Sequence, residues 1–269
     1  MDQMASPGRF VTDQSYGVQI LPVIPSLMTG GRPIAPPVPT TMNPVVLRAE
    51  SLSRTYGSHE ALRDVSIEVK RGERVALLGA PGSGKSTLIR CLCGLETSNP
   101  GTGRIEMFGR ELQAKGRNSR EIRALRRRIG VIFQQFNLVG RLSVMQNVLT
   151  GAAAEVPLWR GLLGRYPLAQ QARALDALEA IGLAPQAFQR ASTLSGGQQQ
   201  RAAIARVLLQ GAELVLADEP VASLDPQSTQ RVMEQLAALN REAGMTLIVS
   251  LHHVALAQRY CDRVVALRN

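Results

Sequence analysis

"RVALLGAPGSGKSTLIR", residues 74–90, is the stretch on which the fold turns. It opens on "RVALLG" (74–79), a short continuous apolar run that follows the turn "KRGE" at 70–73. Such a run, bounded by turn residues, reads as a strand buried on both faces inside a parallel sheet. The loop "GAPGSGKST" (79–87) then fits G-x-x-x-x-G-K-[ST], in the strand–loop–helix setting that gives this pattern its meaning. Across Gly79, Ala80, Pro81, Gly82, Ser83 and Gly84, the glycines permit backbone angles that turn successive N–H groups toward one point, an anion nest. The helix beginning near Lys85 adds the positive end of its dipole. Lys85 places a point charge on β- and γ-phosphates, the Ser86 hydroxyl offers a ligand to Mg²⁺, and Thr87 falls toward the α-phosphate. The bland alternative is a glycine-rich turn with a chance lysine. The strand before it and the helix after it favour a nucleotide phosphate site.

Outward from this loop, apolar runs like 74–79 recur at "IGVIF" (129–133), "LVLA" (214–217), "TLIVS" (246–250) and "RVVAL" (263–267). Helical patterns lie between them, notably "QARALDALEAIG" (171–182) and "QSTQRVMEQLAALNREAG" (227–244). This alternation predicts an α/β fold with a mostly parallel core sheet and helices on both faces. Strand-like alternation begins in "MNPVVLRAESLSRTYG" and continues through Val65, Ile67 and Val69, so a mixed β-subdomain precedes the core. Residues from about 135 to 210 carry helical patterns and no convincing strand, and are expected to form an inserted helical subdomain. Residues 1–43 differ: "LPVIPSLMTGGRPIAPPVPTT" is rich in Pro and Gly without periodicity, and a disordered extension is expected there. Met42 is an alternative start. The domain itself is then 44–269.

Composition narrows the function classes. The 269 residues include Lys+Arg 31 against Asp+Glu 21, a net charge of +10 that suits an anionic partner without choosing one. Aromatic content of 4% argues against a stacking platform for single-stranded nucleic acid. Cys91, Cys93 and Cys261 form neither a disulfide framework nor a zinc pattern, and read as reduced core residues. No apolar run approaches the ~20 residues of a spanning helix, and no secretory signal is visible. A cytosolic protein, attached to any membrane through a partner, is expected.

"LVLADEP" (214–220) is an apolar strand ending in Asp218 and Glu219, with its carboxyl end expected beside the phosphate loop. There Asp218 would hold Mg²⁺ through water and Glu219 would polarise an attacking water. Alone, two adjacent carboxylates are more often a solvated loop; the apolar strand before them and the loop at 79–87 favour a catalytic pair. "LSGGQQQR" (194–201) poses a different problem, because Ser195, Gly196 and Gly197 open a helix with no nucleophile, base or metal ligand beside them. A helix N-terminus with a capping hydroxyl and two glycines is itself an anion site. Two phosphate sites and a single lysine-bearing loop are reconciled if the second serves the nucleotide of another copy. Two chains about a two-fold axis would then sandwich two ATP molecules.

Together "GAPGSGKST", "LSGGQQQR" and "LADEPVASLD", in this order and spacing, resemble the ATP-binding subunits of ATP-binding-cassette (ABC) transporters, from about Val45 to the end. The resemblance implies a P-loop NTPase of the ABC type with ATP and Mg²⁺ as cofactors. It implies further roles: Tyr56, in "RTYG", stacks on adenine; Gln134, in "VIFQQFNL", contacts Mg²⁺ and water; Asp225, in "SLD", touches the opposite chain's loop; His252, in "IVSLHH", contacts γ-phosphate. Without it, Tyr56 is equally a strand-edge tyrosine and His252 a structural histidine, and His253 reads as a bystander. The implied partners are a second copy, integral-membrane permease subunits and, indirectly, a periplasmic substrate-binding protein, at the cytoplasmic face of the inner membrane. "FNLVGRLSVMQNVLTGA" and "PLWRGLLGRYP" (157–167) are similar to the ATP-binding subunits of phosphonate importers, which makes phosphonate the implied cargo. The stretch with Trp159 and Arg160, read by itself, is an amphipathic surface helix or loop.

Other classes remain open from sequence. The solute could be another small polar one, or the chain could be a non-transport ABC ATPase acting in carbon–phosphorus cleavage or on nucleic acid. Against nucleic acid stand the lack of a helix-turn-helix, zinc pattern, long coiled-coil insertion or second cassette. A kinase or small GTPase would have no use for "LSGGQQQR". The family pattern continues beyond "RVVALR", where this sequence stops at Asn269, so a shortened C-terminus is expected.

Overall fold

Parity along single strands explains how the molecule is layered. In the strand Leu214–Ala217, Leu214 and Leu216 join one core and Val215 and Ala217 another, and all four are buried. Successive side chains of a strand point to opposite faces, so both faces of this sheet are covered.

A computed structural model describes residues 18–22 and 44–268. Its strands are β1 (Val18–Pro22), β2 (Val45–Tyr56), β3 (His59–Lys70), β4 (Arg74–Leu78), β5 (Arg104–Met107), β6 (Arg110–Ala114), β7 (Arg117–Asn118), β8 (Ile129–Ile132), β9 (Leu214–Ala217), β10 (Thr246–Leu251) and β11 (Arg263–Leu267). Its helices are α1 (Lys85–Leu92), α2 (Ile122–Arg126), α3 (Val144–Leu149), α4 (Leu158–Leu162), α5 (Leu168–Ala180), α6 (Gly196–Gln210), α7 (Pro226–Ala243) and α8 (Val254–Tyr260).

The core sheet has the order β1-β11-β4-β10-β9-β8, and every pairing from β11 to β8 is parallel. A second sheet, ordered β3-β2-β5-β6-β7, is antiparallel throughout. Val75, Leu77 and Ile248 face the second sheet and α1 through one core, while Ala76, Leu247 and Val249 face the helices through the other. Parallel strands buried on both faces are the continuous apolar runs read from sequence.

Between β8 and β9 the described regular structure is helical, apart from an isolated bridge between Ser143 and Arg190. Local chemistry sets the ends of these elements. Ser143 and Ser195 each open a helix with a reciprocal capping box, through Gln146 and Gln198. Asp225 caps α7 with Pro226 at its first turn, and Gly244 closes it at φ 63°.

One expectation needs correction. Within the extension expected to be without structure, Val18–Pro22 forms β1, antiparallel to β11. Its backbone covers a sheet edge that otherwise presents unpaired N–H and C=O groups, a tertiary demand invisible in local periodicity. The remainder of 1–43, and Met42 with it, lies outside the described residues. In the sheet order β10 lies between β4, which carries the phosphate loop, and β9. The three cysteines are free and buried, and burial pushes the thiols of Cys91 up to about 11 and of Cys261 up to about 12. Among the described residues no helix is long and apolar enough to cross a membrane.

Candidate functional site

Because β4, β8, β9 and β10 are mutually parallel, their carboxyl ends share one edge of the sheet. Ligand sites of open α/β sheets form at this edge, where loops and helix N-termini converge. The loop 79–84 leaves β4 there, with Gly82 at φ 84° and Gly84 at φ 88° immediately before α1. A Cβ at Gly84 would come within 2.2 Å of the Ala61 carbonyl oxygen, and one at Gly79 within 2.3 Å of Ser83 Oγ. Close backbone approach, as well as φ, therefore demands glycine. Among the described residues Ser83 Oγ is buried without a hydrogen-bond partner, and Lys85, itself buried, turns Nζ onto the Gly79 and Ala80 carbonyls at 2.8 and 3.1 Å. An unpaired hydroxyl and an ammonium satisfied only by its own loop form a cradle whose donors suit phosphate oxygens. Ala80, Pro81 and Gly82 are exposed on its rim, and Ser86 and Thr87 are half-buried in the first turn of α1.

Although β10 intervenes, the carboxylate of β9 reaches the loop. Asp218 Oδ1 accepts from Ser86 Oγ at 3.1 Å and from Ser250 Oγ at 2.9 Å. Ser250 Oγ also accepts from the Glu219 N–H at 2.7 Å. Ser250 is thus the link between strands, and sequence reading passed over it: a serine in "TLIVSL" reads as one more small strand residue. The residue is fully buried in the middle of an otherwise apolar run, which is the signal that could have found it. Glu219 sits at φ 47°, a strained conformation for a residue with a side chain. From there its Oε1 meets His252 Nε2 at 2.7 Å. His253 is exposed at the start of α8 and caps nothing with its side chain.

Asp218, Ser86, Glu219, His252 and the lysine loop are therefore assembled in one place. Gln134 lies in the turn just after β8, at the same sheet edge, and is exposed; no hydrogen bond joins it to Ser86 or Asp218 among the described residues. Ser86 Oγ and the Asp218 carboxylate, 3.1 Å apart, are oxygen donors of the kind Mg²⁺ takes, and a Gln134 amide oxygen would be of the same kind. Tyr56, at the end of β2, donates its hydroxyl to Glu96, and the Arg54 guanidinium stacks 4.9 Å from its ring centre.

Ser195, Gly196, Gly197 and Asp225 belong to a second constellation. Ser195 Oγ accepts from the Gln198 N–H at 3.3 Å. This bond uses a lone pair, leaving the hydroxyl proton free to donate. Gly196 and Gly197 occupy the first turn of α6, where amides have no intrahelical acceptor. A Cβ at Gly197 would meet Ser228 Oγ at 2.8 Å, so this glycine also allows α6 to approach α7. Asp225 accepts from the Ser228 N–H at 2.9 Å, and the hydroxyl and amide of Ser228 hold its carboxyl below the usual value. Ser195, Gly197, Gln198, Arg201, Ser228 and Arg231 line a cavity of about 330 Å³. Burial, and then the neighbouring Arg231, lower the pKa of the Arg201 guanidinium. The two arginines, absent from the sequence reading, give this cavity its positive field.

The model of the family described as "ABC transporter" matches residues 62–222. The chain is 56% identical over 223 residues to the phosphonates import ATP-binding protein PhnC of Stutzerimonas stutzeri, covering 82% of this chain and 81% of that one. It is 55% identical over 224 residues to phosphonates import ATP-binding protein PhnC 1 of Pseudomonas aeruginosa strain UCBPP-PA14, with 83% and 81% covered. Among solved structures it is similar to a dimeric ATP-binding cassette in a post-hydrolysis state bound to ADP and Pi, at a TM-score of 0.68 and 32% identity, covering 82% of this chain and 94% of that one. The phosphate cradle, its carboxylates and the separate capped helix thus sit in an ATP-binding, ATP-hydrolysing cassette, and the chain belongs to the ABC transporter family.

Proposed function

We propose that this chain, as a two-fold dimer, hydrolyses ATP to power import of phosphonates through separate membrane permease subunits at the cytoplasmic face of the inner membrane. The observation that carries the chemistry is the junction of Lys85, Ser86–Asp218 and Glu219–His252 at one sheet edge. The cargo rests on identity above half to relatives named for phosphonate import.

Phosphoryl transfer to water asks the protein for positioning and charge neutralisation more than covalent chemistry. Lys85 and the amides of the loop bind the β- and γ-phosphates. Ser86, Asp218 and Gln134 would hold Mg²⁺, which would neutralise charge on the phosphate oxygens. Glu219 orients the attacking water and accepts its proton, and His252, held by the same carboxylate, donates to the γ-phosphate. Tyr56 stacks on the base. Ser195, Gly196 and Gly197 of a second copy donate to the γ-phosphate from the far side, and Asp225 meets that copy's loop. ATP closes the dimer, hydrolysis opens it, and the helices between β8 and β9 pass the motion to the permease. A periplasmic binding protein would deliver the phosphonate.

The test is to purify the chain with its membrane partners and assay hydrolysis with and without phosphonate-loaded binding protein. Stimulation by phosphonate, lost together with hydrolysis in Glu219→Gln by about 10²-fold or more, is the expected result. Hydrolysis indifferent to phosphonate, in a soluble complex with nucleic acid or carbon–phosphorus cleavage proteins, would refute the transport reading and leave the nucleotide site standing.

A further inference from the structure

Helix α4 inverts the usual arrangement of a helix on a globular protein. At 100° per residue, Leu158, Trp159, Leu162 and the C-cap residue Leu163 share a face about 140° wide. That face points outward: the four side chains are 79%, 54%, 78% and 63% exposed, and no residue of the helix is buried. The inward position belongs to Gly161, where a Cβ would meet Val156 Cγ2 at 3.8 Å. Amphipathic helices normally turn their apolar stripe to the core, and this one turns its smallest residue there instead. Leu168, 81% exposed at the start of α5, extends the apolar surface.

Charge decides what covers it. From Val156 to Leu175 the sequence contains Arg160, Arg165 and Arg173 and no acidic residue. Arg173 pairs with Glu155 at 2.7 Å, whereas Arg160 and Arg165 form no ion pair among the described residues. The Arg160 guanidinium lies 5.2 Å from the Trp159 ring centre, so cation and aromatic are presented together. Leucines beside a tryptophan, flanked by unpaired arginines on a convex helix, match a lipid interface. There indole sits at headgroup level, aliphatic chains reach the acyl boundary and guanidinium meets lipid phosphate. A fluid surface needs no preformed groove to receive a convex element.

We infer that the α4 face binds directly to an anionic lipid surface, giving the chain a membrane contact of its own besides any permease. This inference is independent of the cargo.

Trp159 is the single tryptophan of the sequence, so tryptophan emission, excited beyond the tyrosine band, reports on this face alone. The purified full-length chain is mixed with vesicles of phosphatidylethanolamine and phosphatidylglycerol, and separately with neutral phosphatidylcholine vesicles. A blue shift of the emission with co-flotation on the anionic vesicles is expected, with binding to neutral vesicles weaker by about tenfold or more. Leu158→Ser with Leu162→Ser and Leu163→Ser should lose flotation while keeping solution ATPase activity. Arg160→Gln with Arg165→Gln, which leaves the leucines in place, should bind both vesicle types equally weakly. Unchanged emission without flotation overturns the inference, as does triple-variant flotation equal to wild type. So does a shift that appears only on assembly with permease in detergent, which would make the face a protein dock.

Discussion

Ser250 carries more of the candidate site than its size implies. Its hydroxyl donates to Asp218 and accepts from the Glu219 amide, so one atom ties the Asp218 carboxylate to the backbone of Glu219. Ser250→Ala leaves a buried N–H without an acceptor, at a cost of about 1–3 kcal/mol. It also frees Glu219, held at φ 47°, to relax toward ordinary backbone angles and away from His252. The expected kinetic outcome is kcat lower by about tenfold or more with KM for ATP little changed, since the phosphate cradle is untouched. Steady-state kinetics beside a melting curve would check both halves; a raised KM at constant kcat would show instead that Ser250 serves nucleotide binding. Asp218, Glu219 and Lys85 were legible in sequence because charged groups next to an apolar strand or inside a glycine loop stand out. Ser250 was not: its role comes from β10 lying between β4 and β9, a neighbour relation that no local pattern encodes.

At the scale of elements, α6 and α7 meet where Gly197 faces Ser228. Gly197→Ala would place its Cβ 2.8 Å from Ser228 Oγ and 2.9 Å from Ser228 Cβ, so the helices must separate or shift. Overpacking of this kind costs about 1–3 kcal/mol. The variant should bind ATP as a single chain like wild type and lose hydrolysis, because what moves is the N-terminus offered to a second copy. Adding Ser228→Gly removes both clashing atoms and keeps the backbone N–H that Asp225 caps, so the double variant should recover stability and hydrolysis. A double-mutant cycle in thermal unfolding would show coupling of about 1 kcal/mol or more; strict additivity would mean that Gly197 matters for its own amide and not for this packing. The strands and the longer helices were readable from periodicity and caps, as β9, β10 and α7 illustrate. β1 was not, because a strand that only completes an edge needs no amphipathic pattern of its own.

For the whole molecule, the decisive question is which chain's signature helix serves which chain's loop. The lysine loop and the Ser195 helix are separate constellations, with no hydrogen bond between them among the described residues. A helix N-terminus with a hydroxyl proton free to donate lines a cavity with Arg201 and Arg231, an arrangement that favours an anion. If the anion is the γ-phosphate on another copy's loop, defects in loop and signature must complement between chains. Lys85→Ala and Ser195→Arg should each abolish hydrolysis alone. Mixed in equal amounts, half of the dimers pair one variant with the other. In each of these, one interface holds both defects and the other holds neither. With each intact interface working on its own, the mixture should therefore recover about a quarter of wild-type activity. A mixture as inactive as its components, under conditions where ATP-dependent dimers are seen by sedimentation, would place both motifs in the service of one chain's own nucleotide. Recovery is a stricter criterion than dimerisation itself, because a dimer formed through any other surface would bring two damaged sites together and repair neither.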